Sequence, residues 1–211
     1  MIKGVLFDFD GVIVDTESKK FEDIRKILAN QGIALKRNDF QNFIGKKTDF
    51  FLRERFPLLS EEALQQIINE RRRLQFRNFQ KYKLIYGIKA LLKYLKLKKY
   101  AVALVTGSKR DFVNKLIKIN RISECFQLII SGEEYKSSKS NSECYELALK
   151  KLKLKPEEVI IIEDSVVGIK AGKKVGATVF ALGTYLKKEE LIGADKWFDN
   201  HKQILEHLKK N

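Results

Sequence analysis

Residues 6–17 read LFDFDGVIVDTE. An apolar run carries the chain into Asp8 and Asp10, two acids at i and i+2, and Gly11 follows directly. The stretch Ile2–Phe9 is rich in β-branched and aromatic residues and ends at an Asp-Gly pair, which predicts a buried strand. Two carboxylates held this close repel each other, so something at the strand end must offset their charge.

The pattern on either side of a strand decides the fold. From Glu17 to about Lys83 the sequence reads only as helix. SKKFEDIRKILANQG sets Phe21, Ile24, Ile27 and Leu28 at helical spacing before Gly32, and Asn38–Ile44 is a short helical turn ending at Gly45. Ser60 with Glu61 and Glu62 opens a long helix to about Phe79. After Gly87 the elements alternate. Strands are expected at AVALVTG (101–107), FQLIISG (126–132), EEVIIIED (157–164) and ATVFALG (177–183). Helices fall between them at 111–120, 142–154 and 167–176, and Trp197-Phe198 and a last helix, Lys202–Lys209, close the chain. Such alternation implies right-handed βαβ crossovers and a parallel sheet. The expectation is an α/β fold, a Rossmann-like doubly wound parallel sheet formed by residues 1–15 and 85–211, with an inserted α-helical domain at 16–84.

Composition narrows the classes. Of 211 residues, 44% are hydrophobic and 33% charged, a globular balance with no apolar run of the ~20 residues that a membrane span needs. Acids interrupt the opening MIKGVLFDFD before a signal-peptide core can form, which points to a cytoplasmic protein with no membrane partner. Cys125 and Cys144 are too few for a disulfide framework and lack metal-ligand spacing. The charge is strongly positive, 42 Lys+Arg against 27 Asp+Glu, or +15. The densest patch is ERRRLQFR (70–77), but no nucleic-acid-binding motif accompanies it. Most lysines interleave with leucines at helical spacing, as on solvated faces of amphipathic helices. Such a field also attracts phosphorylated metabolites, and nucleic acid is the disfavoured partner.

Ligands of open α/β sheets bind beyond the carboxyl ends of the strands. Four strand ends here carry reactive groups: Asp8-Phe9-Asp10-Gly11, Thr106-Gly107-Ser108, a segment with Lys136 and Lys139, and Glu163-Asp164-Ser165. Asp8 and Asp164, with a carbonyl near Asp10, supply hard oxygens suited to Mg²⁺. One carboxylate of the first pair can attack phosphorus while the other protonates the departing oxygen and later deprotonates a water. Thr106 and the N–H groups around Gly107 and Ser108 can hold phosphoryl oxygens, and Lys139 can balance their charge. Ser108 has a second reading, as the N-cap of the helix starting near Asp111. Asp15 and Thr16, at the passage between the domains, read as a hinge or helix cap.

DFDGVIVDTE, VTGS, a spaced lysine and IIIEDS, in that order, resemble the four motifs of the haloacid dehalogenase superfamily, over essentially the whole chain. The likeness is to its branch with a helical cap after the first motif, which includes phosphoglycolate phosphatases and β-phosphoglucomutases. The resemblance implies a Mg²⁺-dependent aspartyl-phosphate mechanism, with Asp8 as nucleophile and Asp10 as acid/base. It matches Asp164 to the metal ligand of the fourth motif and Glu163 to its metal-supporting neighbour. Residues 16–84 become the cap domain. The third motif departs from the family pattern: both prolines are missing from SSKSNSECY, and Lys139 is the assignment, with Lys136 competing. In the mutases a cap histidine and arginine assist; Lys20 and Thr48 stand at those positions here, and Lys46 or Lys47 can still bind an anion. The resemblance thus favours a phosphatase acting on a small phosphorylated metabolite, with a sugar phosphomutase as the alternative and a monomer or small homo-oligomer as the assembly.

Overall fold

The computed structural model describes residues 1–44, 48–135 and 142–210. Its contacts divide into two compact units, Met1–Asp15 with Leu84–Asn211, and Thr16–Lys83. The first is the expected α/β architecture. Strands β1 (Gly4–Phe7), β2 (Ala101–Val105), β3 (Leu128–Ile130), β4 (Val159–Glu163), β5 (Thr178–Leu182) and β6 (Lys196–Phe198) form one sheet, ordered β3-β2-β1-β4-β5-β6. Every pairing is parallel. All four residues of β1 and all five of β4 are buried, as central parallel strands covered on both faces must be.

Register does the positioning. Phe7 pairs with Leu104 on one side and Ile162 on the other, so β1, β2 and β4 end almost level. The chain order reverses at β1, whose neighbours are β2 and β4, and this switch point is where open α/β sheets bind ligands.

The second unit is helical: α1 (Glu17–Asn30), α2 (Phe40–Phe43), α3 (Thr48–Arg55) and α4 (Glu61–Arg77). Its core includes Phe21, Ile24, Phe43, Phe51 and Ile67. Phe43 meets Phe51 edge-on with ring centroids 5.2 Å apart. Ser60 caps α4, its hydroxyl accepting from the Ala63 N–H at 3.2 Å. The first unit continues with α5 (Ile88–Leu97), α6 (Arg110–Ile119), α7 (Glu143–Leu152), α8 (Val166–Lys174) and α9 (His201–Lys210). Among the described residues no helix is long and apolar enough to cross a membrane.

Two elements differ from the sequence reading. β6 spans only three residues around Trp197-Phe198, too few for a period-2 pattern to register, and only its pairing with β5 defines it. The eight residues of α3 are likewise not set apart as a helix by their sequence, because TDFFLRER carries little apolar periodicity beyond Phe51 and Leu52.

Candidate active site

Asp8 is the first residue beyond β1, and its N–H donates to the Ile162 carbonyl at 3.0 Å, continuing the ladder by one step. The residue is 5% exposed. The chain then folds back: Ile13 and Val14 donate to the Phe9 carbonyl, and Gly11 donates to Val14 at 2.8 Å. Gly11 has φ +80°. A Cβ there would fall on the Asp164 carboxylate and within 2.9 Å of the Tyr185 ring, so the turn needs glycine for both conformation and space. Thr184, beyond β5, donates its hydroxyl to the Gly11 carbonyl at 2.7 Å and braces the turn from the other side.

β4 delivers two more acids. Glu163 is its last residue and fully buried; Asp164 follows, 9% exposed. Asp8, Glu163 and Asp164 each present a carboxylate oxygen, and these oxygens lie within 4.8 Å of one another. Glu163 is held on both oxygens. Tyr145 of α7 donates its hydroxyl to Oε1 at 2.6 Å, while Oε2 accepts from the Ser165 hydroxyl at 3.0 Å and the Asp164 N–H at 3.2 Å. Ser165 also caps α8, its Oγ accepting from the Gly168 N–H at 3.1 Å.

Asp10 turns toward the end of β2. The Ser108 hydroxyl donates to Asp10 Oδ2 at 2.7 Å and the Thr106 hydroxyl reaches the same oxygen at 3.4 Å. Thr106 is fully buried, and its Oγ1 accepts from the Ser108 N–H at 3.0 Å. From β3's side the Tyr135 hydroxyl donates to the Thr106 carbonyl at 3.1 Å. The two acids of the opening stretch therefore face different partners: Asp8 the β4 acids, Asp10 the hydroxyls beyond β2.

Several sequence expectations change. Ser108 does not cap α6, which starts at Arg110 with Lys109 at the N-cap; the Ser108 hydroxyl is committed to Asp10, and Glu133 takes the Arg110 N–H at 2.9 Å. Thr16 occupies the N-cap of α1 but makes no side-chain capping bond, because its backbone is already helical, at φ −93° and ψ −31°. Asp15 instead accepts from the Tyr185 hydroxyl at 2.5 Å. Lys20 bonds Glu17 at 2.5 Å. Lys136, Lys139, Lys46 and Lys47 lie outside the described residues. Sequence reasoning missed Tyr145, Tyr135 and Thr184, each a side chain reaching the site from a neighbouring element.

A buried histidine supports the same turn. His201, at the start of α9, is fully buried, and its Nε2 lies 2.6 Å from the Val12 carbonyl. Burial pushes its pKa down from 6.5, only partly offset by that bond, to about 4. The ring is therefore neutral at pH 7, with its proton on Nε2 as donor.

The comparisons with known proteins point the same way as the geometry. The sequence pattern of the family described as haloacid dehalogenase-like hydrolase matches residues 5–182. A phosphorylated carbohydrates phosphatase of Thermotoga maritima is 28% identical over 184 residues, covering 83% of this chain and 82% of that protein. YhcW of Bacillus subtilis, provisionally named a phosphatase, is 31% identical over 181 residues, covering 83% and 81%. A crystal structure from Thermotoga maritima, provisionally described as a β-phosphoglucomutase, shares the fold with a TM-score of 0.82 at 24% identity, over 99% of each chain.

Proposed function

Since the chain belongs to the haloacid dehalogenase-like hydrolases, we propose that it is a Mg²⁺-dependent phosphatase acting on a small phosphomonoester through an aspartyl-phosphate on Asp8. The observation that carries the reading is the division of labour at the sheet edge. Asp8, Glu163 and Asp164 converge on one point, while Asp10 sits apart with Thr106 and Ser108.

In this mechanism an Asp8 oxygen attacks phosphorus as the bond to the ester oxygen breaks. Asp10, in its acid form, gives that oxygen its proton, so the alcohol leaves neutral. Asp10 then takes a proton from the water that attacks phosphorus, the Asp8–phosphorus linkage breaks, and inorganic phosphate departs. Hydrogen bonds from Ser108 and Thr106 fix Asp10 for both transfers. The N–H of Gly107 supplies a dipole for the phosphoryl oxygens, and Lys139 balances their charge.

The three clustered acids fit a hard divalent cation, since carboxylate oxygens are its preferred ligands. Asp8 and Asp164, with the Asp10 carbonyl, would hold Mg²⁺, and Glu163 would support it from its buried position. When bound, the ion supplies positive charge against the acids and the phosphate. The helical unit is read as the substrate-selecting cap, and the protein as a cytoplasmic monomer or small homo-oligomer.

The test is phosphate release from a panel of sugar phosphates, phosphoglycolate, nucleotides and an aryl phosphate. Release should require Mg²⁺ and vanish in Asp8→Asn. Turnover retained in that variant overturns the nucleophile assignment. Absence of release, with conversion of β-glucose 1-phosphate to the 6-phosphate, replaces the phosphatase with the mutase.

A further inference from the structure

We propose that Tyr145 is a positioning residue for the metal-side acid Glu163, its buried hydroxyl setting the affinity of the site for Mg²⁺; the inference rests on the functional reading above. Tyr145 is among the largest fully buried side chains of the protein, packed in the core beneath the sheet with Cys144, Ala148, Leu149 and Ile161. A phenylalanine would fill such a place equally well. A tyrosine there brings a hydroxyl that must find a partner or lose its hydration uncompensated.

Its partner is an acid. The hydroxyl donates to Glu163 Oε1 at 2.6 Å, within the range of charge-assisted O–H···O⁻ bonds. Both residues are fully buried, so the bond is not screened by solvent. The Ser165 hydroxyl and the Asp164 N–H occupy the other oxygen, Oε2. α8 leaves room for the arrangement through Gly168, where any Cβ would fall on the Glu163 carboxylate. Glu163 is thus held from two elements, α7 through Tyr145 and the β4–α8 junction through Ser165. Those contacts decide where its charge stands relative to Asp8 and Asp164, whose oxygens lie within 4.8 Å. Partners of this kind, acting on a metal ligand or its neighbour without touching the metal, typically alter metal affinity 10–100-fold. Tyr145 ends the stretch SSKSNSECY, where the sequence lacks the prolines of the family pattern, and its partner is the acid Glu163.

The experiment is calorimetric titration of the full chain with Mg²⁺ alone, no substrate present. It compares wild type with Tyr145→Phe, which keeps the ring and its packing, and with Leu149→Ala, which disturbs the same helix and core without touching Glu163. We expect Tyr145→Phe to weaken Mg²⁺ binding by about tenfold, and Leu149→Ala to lower Tm while leaving the Mg²⁺ affinity within twofold. Unchanged affinity in Tyr145→Phe overturns the inference while leaving the phosphatase reading intact. Equal losses in the two variants also overturn it, since affinity would then follow core stability. A wild-type chain that binds no Mg²⁺ overturns the metal reading of the site, and this inference with it.

Discussion

Replacing His201 with glutamine tests how firmly the turn behind Asp8 is anchored to α9. His201 donates from Nε2 to the Val12 carbonyl, while its buried Nδ1 meets no hydrogen-bond partner. Protonation would add an N–H at Nδ1 with nothing to receive it, and burial accordingly holds the pKa to about 4 against an ordinary 6.5. Between these values the unfolded chain takes a proton that the folded chain refuses. The stabilisation is therefore complete above the unfolded value and is lost as pH falls toward the folded one. Linkage over that window gives a loss of about 2 kcal/mol by about pH 5 and about 3 kcal/mol by about pH 4. A glutamine amide can reach the same carbonyl and does not titrate. Urea unfolding of both proteins across a pH series should show wild type losing about 2 kcal/mol more than His201→Gln between about pH 7.5 and pH 5. The partly buried His207, whose pKa burial also lowers, is present in both proteins and cancels in the difference. A stability difference constant to within about 0.5 kcal/mol over that range would refute the argument.

Two further perturbations probe the packing against Glu163 and the ion pairs of Glu134. Gly168→Ala puts a methyl group on the Glu163 carboxylate; it should destabilise the protein by about 1–3 kcal/mol, as overpacking does, with a lowered urea midpoint as the readout. Glu134 is the second. Burial would raise its carboxyl, but the Ser131 N–H, Lys151 and Arg110 overcome this and hold it down to about 2. Glu134→Gln should cost about 1 kcal/mol near neutrality, allowing for partial solvent screening. Because the folded pKa is depressed, that difference should fade as pH drops from about 4.5 toward 2 in urea titrations of the two proteins.

What the sequence made legible was what the backbone dictates. Asp8, Glu163 and Asp164 end long apolar runs, and a parallel sheet in register brings such ends to one edge whatever the side chains around them do. Thr106 and Ser108 follow the end of β2 by the same logic. The misses share another cause. Tyr145 and His201 sit at apolar positions of their helices, where periodicity reads any large side chain as packing. Their hydroxyl and imidazole become meaningful only once Glu163 and Val12 are seen to lie against them. Ser108 shows the reverse: a serine just ahead of a helix looks like a cap, but a carboxylate 98 positions away in the chain has its hydroxyl.

The charge of +15 is harder to read for the same reason. A count of cations suggests a helical unit ready to grip anions. Many of those cations already have partners within the unit: Lys19 pairs with Asp23, Lys20 with Glu17, Arg25 with Glu22, Arg55 with Asp39 and Arg53 with Glu61. Arg71, inside the dense ERRR patch, bonds Gln75 at 3.2 Å. Of these pairs, those three or four residues apart on one helix were available from spacing. Arg53–Glu61 and Arg55–Asp39 join different elements and were not. The count of cations therefore overstates the anion-binding capacity of the unit by the number of such pairs. An anion binding to this unit would have to compete with carboxylates already in place, and that competition is decided by rotamers and helix packing, not by composition. Strand register, which a sequence encodes locally, sets where the acids of the sheet edge stand, whereas which cations of the helical unit stay available to an anion depends on pairings between elements.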